Sequence, residues 1–129
     1  MKKLVGLVTV LAVAITPNLA NANQTQQKIN IVKSIYSEAK RTDDSMAAIM
    51  RHATPGLRNH YNRTTICDND PLWGNQDPQT NAAVKVSNAS NGRVKATFKQ
   101  YGQTATNYFK FKCTGNTCKI SDISFYSCE

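Results

Sequence analysis

The sequence predicts an α+β domain in which N-terminal helices pack on a curved antiparallel sheet of about four strands. Three observations predict it. Apolar residues recur at three- and four-residue steps up to about residue 64, a turn-rich stretch from Cys67 to Pro78 breaks that rhythm, and from Val84 the apolar period falls to two.

The chain of 129 residues begins with Lys2 and Lys3, an apolar run from Leu4 to Ile15, and the small-residue pattern Ala20-Asn21-Ala22. This order is that of an export signal, and cleavage is expected after residue 22, leaving one domain over 23–129. A membrane-spanning helix needs about 20 apolar residues, and Thr16-Pro17-Asn18 ends the run too early. The first cysteine is Cys67, so no lipid-bearing cysteine follows Ala22, and a freely soluble periplasmic or secreted domain without a membrane anchor is expected.

From Gln24 to Lys40, Ile29, Val32, Ile35, Tyr36 and Ala39 make one face of a first helix. Thr42-Asp43-Asp44-Ser45 offers capping oxygens for a second short helix carrying Met46, Ala47, Ile49, Met50 and Ala53, which Thr54-Pro55-Gly56 is expected to stop. A third helical segment is expected over residues 57–64, with Leu57 and Tyr61 on one side. Cys67 to Pro78 packs Asp, Asn, Pro and Gly around Trp73 and reads as an irregular, structured loop. Four strands follow: Val84 and Val86; Val94, Ala96 and Phe98; Phe109, Phe111 and Cys113; Cys118 and Ile120. Turns are expected over residues 88–92, 102–106 and 114–117. Ile123 and Phe125 fall out of phase with Ile120, which predicts a bulge near Ser121-Asp122 or a strand buried on both faces.

Four cysteines in an oxidising destination predict two disulfides. Of three possible connectivities, the hairpin turn places Cys113 opposite Cys118, and elimination pairs Cys67 with Cys128, a closure of about 60 residues that stabilises by about 4 kcal/mol in the chain-entropy model. A zinc site is the competing reading, but zinc ligands usually come as two closely spaced pairs, and only Cys113 and Cys118 are close here.

The motifs Asp70-Pro71-Leu72, Gln76-Asp77 and Lys119-Ile120-Ser121-Asp122-Ile123, in their order among helices and strands, resemble the bacterial exported domain of unknown function 3828. That family is similar to nuclear transport factor 2-like domains, close in outline to the cystatin-like arrangement. The resemblance implies a curved sheet wrapped around helices as a cone whose open end often forms a pocket, with no established activity. Cys118 stands where such final strands often carry a bulky aromatic residue; a disulfide would replace that packing.

Formal net charge is +8, and loss of Lys2 and Lys3 from the 16 basic side chains leaves 14 against 8 acidic. The cations are spread from Lys28 to Lys119 without a block, which argues against nucleic acid and leaves an acidic envelope ligand or protein as the partner that charge favours. In the strands Lys85, Lys95, Lys99, Lys110 and Lys112 alternate with the apolar set, with Lys119 nearby, and so are expected on one solvent-facing basic sheet face. That face disfavours a tightly apolar dimer; a monomer or weak homodimer is expected.

Tyr36, Tyr61 and Trp73, with Gln76 and Asp77 as polar anchors, are the candidates for a pocket, with ordinary core as the competing reading of the three rings, the two evenly balanced at Trp73. Asp68, Asp70 and Asp77 raise a calcium reading, but Leu72, Trp73 and Gln79 occupy loop positions 5, 6 and 12, where an EF-hand needs an oxygen ligand, glycine and glutamate, so Asx turns explain them better. His52 and His60 are the histidines a general base would need, yet no nucleophile elbow, His-Glu-x-x-His pair or phosphate loop accompanies them. No catalytic residue, metal or cofactor is assigned. A non-enzymatic binding module is the first reading, a periplasmic immunity or enzyme-inhibitor protein the second, and a cone-fold enzyme using a histidine with an aspartate the third.

Overall fold

The computed structural model describes residues 2–63 and 69–125, with side chains over 22–61 and 69–125. Helix α1 (Lys2–Thr42) runs through the expected signal and on into the domain. Its stripe of Val32, Ile35, Tyr36 and Ala39 is buried, as a three- and four-residue spacing requires. Asp43, at φ 55°, ends α1, its N–H donating to the Ala39 carbonyl. Asp44 then caps α2 (Ser45–Met50) by accepting from the Ala47 N–H at 3.0 Å.

The second helix ends earlier than its apolar spacing predicts, because residues 52–54 leave it to pair with the sheet. The Ile120 N–H donates to the His52 carbonyl and the Thr54 N–H to the Ile120 carbonyl, at 2.7 and 2.8 Å. Thr54-Pro55-Gly56, expected as a stop, opens α3 (Pro55–Arg63) instead: Thr54 Oγ1 accepts from the Leu57 N–H, and proline occupies the first turn, where its missing donor costs nothing.

Strands β1 (Lys85–Asn88), β2 (Val94–Gln100), β3 (Gln103–Thr114) and β4 (Thr117–Ile123) form an open antiparallel sheet in sequence order. The β2–β3 turn is only Tyr101-Gly102, shorter than expected, with both residues at positive φ of 53° and 79°. Gly102 supplies the left-handed conformation at no steric cost. The expected bulge is present: Phe111 pairs with Ile120 but Lys110 with Asp122, leaving Ser121 as the extra residue. Cys113 and Cys118 are joined across the last hairpin. Cys67 and Cys128 lie outside the described residues.

Helix α1 lies across the inner sheet face, where Val94, Ala96, Phe98, Phe109, Ile120 and Ile123 are buried. Leu72 and Trp73, delivered by the loop, complete this core. Asp70 shapes that loop, Oδ1 accepting from the N–H groups of Leu72 and Trp73 and Oδ2 from the Ser45 hydroxyl. Gly74, at φ 81°, lets the Phe125 ring approach so closely that a Cβ would lie 2.8 Å from it.

Among these apolar groups sits Asn107, 0% exposed. Its Nδ2 is shared among the Tyr36 hydroxyl and the carbonyls of Pro71 and Leu72, and its Oδ1 accepts from Ser124 Oγ and the Phe125 N–H. Tyr36 in turn donates to the Leu72 carbonyl at 2.7 Å, and burial holds its pKa far above the ordinary tyrosine value, so it remains a neutral donor. Asn107→Ala strands several buried groups at once, and a loss of about 2–4 kcal/mol of unfolding free energy is expected in urea titration. A loss below about 0.5 kcal/mol, the range of an ordinary surface change, would refute the load assigned to this side chain.

Candidate functional site

Strand register sorts the charges. Counting along the ladder from Val94↔Phe109, the partners of the buried residues share the inner face, and everything between them faces outward. Lys85, Lys95, Lys99, Lys110, Lys112 and Lys119 therefore lie on one outer face, joined by Arg93, which precedes Val94 by one residue. Asp122, opposite Lys110, is the acidic residue on this face, and its Oδ1 accepts from the Ile123 N–H. Lys112 stands directly opposite Lys119, a like-charge cross-strand pair that costs stability and is tolerated here. Among the described residues the ion pair is Arg51, just past α2, with Glu38 of α1, at 2.8 Å, so no sheet cation is engaged by a described carboxylate.

The richest concentration lies where β2 begins. A groove of about 510 Å³ runs between the Asn91–Arg93 turn and the edge of β3, lined by Lys28, Arg93, Lys110, Phe111, Lys112 and Ser121 among others. Lys28 reaches it from α1, its Nζ donating to the Gly92 carbonyl at 3.0 Å and lying 6.0 Å from the Phe111 ring centroid. Arg93 is held by Ser90, through Nε to the carbonyl and Nη2 to the hydroxyl, with its guanidinium 4.5 Å above the Tyr108 ring. Both cations are thus pre-positioned, and among the described residues no carboxylate lines the groove. A second cleft of about 190 Å³ joins Lys33, Tyr36, Ser37 and Lys40 of α1 to Val84 and Val86.

The five residues proposed from sequence as a pocket do not converge as one. Trp73 is 1% exposed, with its ring 5.1 Å from Tyr36 and 5.0 Å from Phe98 in edge-on contacts, so the three aromatics pack against one another. Tyr61 is buried in the same cluster, whereas Gln76 and Asp77 are exposed in the loop. Of the three rings, Tyr36 also borders the small cleft between α1 and Val84 and Val86, whereas Trp73 and Tyr61 are packed into the core. Asp70 Oδ1 accepts from two turn N–H groups and Oδ2 from the Ser45 hydroxyl of α2, Asp68 lies outside the described residues, and the described residues contain no cluster of three potential metal ligands.

His60 is exposed on α3, and His52 is half-buried beside β4 with its carbonyl taken by Ile120. Sequence reasoning missed Lys28 and Arg93. Arg93 was legible, since it continues the period of two by one step, but Lys28 joins the groove only through the packing of α1.

No family model matches the chain, and no curated protein matches it. Among solved structures, the crystal structure of a protein of unknown function from Bacteroides thetaiotaomicron VPI-5482 is similar, with a TM-score of 0.60 and 14% identity over 85% of this chain and 98% of that one. That likeness shows the α+β fold alone. No helix among the described residues is long and apolar enough to cross a membrane, and the Cys113–Cys118 disulfide is compatible with an extracytoplasmic location.

Burial lowers the pKa of His52 below its ordinary 6.5, outweighing the carboxylate of Glu38, and Arg51 lowers it further. The folded chain thus prefers neutral His52, and the unfolded chain takes up its proton first as pH falls through about 6.5. Stability is expected to be insensitive to this group above that pH and to decline on acidification below it. His52→Gln should flatten this part of a melting-temperature profile measured between pH 7.5 and 5; an unchanged slope would exclude the assignment.

Proposed function

We propose that this chain is a small non-enzymatic binding module of the cell envelope whose basic sheet face receives an acidic partner. The observation that carries the reading is the segregation of charge: Lys85, Arg93, Lys95, Lys99, Lys110, Lys112 and Lys119 share one face with Asp122 as its acidic member. Cations that no described carboxylate pairs, gathered on one sheet face, raise the local potential and steer anionic partners toward it. The sequence features of the first 22 residues and the Cys113–Cys118 bond support export, to the periplasm or beyond.

The reading as a binding module is supported by the sequence, which has no nucleophile elbow, His-Glu-x-x-His pair or phosphate loop. Inhibition of an acidic envelope enzyme would use the same surface. It is distinguished by titrating envelope hydrolase activities with the purified protein: loss of one activity at a one-to-one ratio makes the module an inhibitor.

Two outcomes check the proposal. The exported protein should be lighter than the full chain by the mass of residues 1–22, read by mass spectrometry of an envelope fraction; an intact N-terminus in a cytosolic fraction would overturn the envelope assignment. On an immobilised polyglutamate column the protein should elute at clearly higher salt than its Lys95→Glu/Lys99→Glu/Lys119→Glu variant, since exposed charges are screened with a Debye length of about 10 Å at 0.1 M. Coincident elution would sink the role of the face.

A further inference from the structure

We propose that the open edge of β3 between Phe111 and Thr114 docks an acidic, extended segment of a partner protein, which adds beside it as a short strand. This inference rests on the acidic-partner reading above and assigns that partner a conformation and a place.

Strand β3 outruns β2. Their register ends at Val94↔Phe109, whereas β3 continues through residues 110–114 paired with β4 alone among the described strands, about 17 Å of extended chain. In an antiparallel ladder, alternate residues exchange hydrogen bonds with opposite neighbours. Thr114 and Thr117 flank the two-residue Gly115-Asn116 turn and so bond each other, which turns the N–H and C=O of Cys113 and Phe111 away from β4. The other hairpin gives the same answer: counting from the Gln100↔Gln103 pair that flanks Tyr101-Gly102, Phe109 bonds to β2, and Phe111 and Cys113 are the next rungs on that side. Two donors and two acceptors therefore face the place where β2 has ended.

The groove beside those rungs is charged on both faces of the sheet. Lys28, with Phe111, lies on the inner side; Arg93, Lys110 and Lys112 lie on the outer side. An added strand sends successive side chains alternately to the two sides, so acidic residues at consecutive positions would each meet a cation. A single small oxyanion would use one side only and leave the four backbone groups unpaired. A second copy of this edge would bring lysine against lysine, so the charges that discourage self-pairing select an acidic strand.

The probe is fluorescein-labelled hexaglutamate, added to protein purified from expression of the full chain at about 20 mM ionic strength, where screening is weak. Amide exchange by NMR reads the rungs directly: saturating peptide should slow exchange at Phe111 and Cys113 by about tenfold or more, the signature of new hydrogen bonds. Lys110→Glu/Lys112→Glu should weaken binding by about tenfold or more, and hexaglutamate N-methylated at alternate amides should bind about tenfold more weakly than the parent. Lys33→Glu/Lys40→Glu on α1, an equal change of net charge away from the groove, should shift affinity less than about threefold. Binding without protection of Phe111 and Cys113, or indifferent to N-methylation, overturns the strand while leaving the acidic-partner reading intact. Binding lost with Lys95→Glu/Lys99→Glu but kept in Lys110→Glu/Lys112→Glu does the same. Absence of any binding removes both.

Discussion

The carboxamide of Asn107 is the constraint on which the arrangement depends. A neutral amide has two donors and two acceptor sites, and buried without partners it would oppose folding. Here it binds α1 through Tyr36, the loop through Pro71 and Leu72, and the segment after β4 through Ser124 and Phe125. Apolar contacts alone tolerate sliding, whereas these directional bonds are satisfied in one arrangement only. Trp73 is seated on Tyr36 and Phe98 as a consequence, and the inner face closes. Gln100 performs a similar service at the sheet's far end, with Oε1 accepting from Asn75 and the Gln79 N–H while Nε2 donates to the Gln79 carbonyl.

Burial of the inner face against α1 and the loop leaves the outer face as the exposed surface of the sheet. The sheet is one layer with two different surfaces: one committed to α1 and the loop, the other carrying cations that no carboxylate neutralises among the described residues. Carboxylates at the outward positions opposite Lys85, Lys95 and Lys99 would have supplied ion pairs, but those positions carry Ser87, Thr97, Thr104 and Tyr108, and Asp122 stands opposite Lys110 alone. The chain accepts the repulsion of Lys112 and Lys119 rather than relieve it. The bulge at Ser121 and the early end of β2 also break the regular ladder at the groove, so a break in pairing and a concentration of charge coincide.

Much of this was legible in the sequence, and for a simple reason: a helix face and a strand face are written as local periods. The stripe of α1, the four strands, the bulge at Ser121, the Cys113–Cys118 pairing and the one-sided placement of five lysines all follow from spacing. Errors arose where a residue's role depended on a distant partner. Thr54-Pro55-Gly56 has the composition of a stop and serves as a start, because residues 52–54 are captured by Ile120. Trp73, Tyr36 and Tyr61 have the composition of a pocket and form a core, because α1 and the loop meet over the sheet.

What the sequence determined by itself was therefore the elements, their order and the sign of each strand face, since alternation at two and recurrence near 3.6 residues are properties of the local chain. What only the tertiary structure decided was which surfaces are closed and which stay open. Asn107 gives no local signal of its five contacts, Lys28 lies 64 residues from the Gly92 carbonyl it binds, and the stretch of β3 that β4 alone pairs among the described strands exists because β2 is shorter than its neighbour. Such juxtapositions arise from long-range hydrogen bonds and unequal strand lengths, which no local period records.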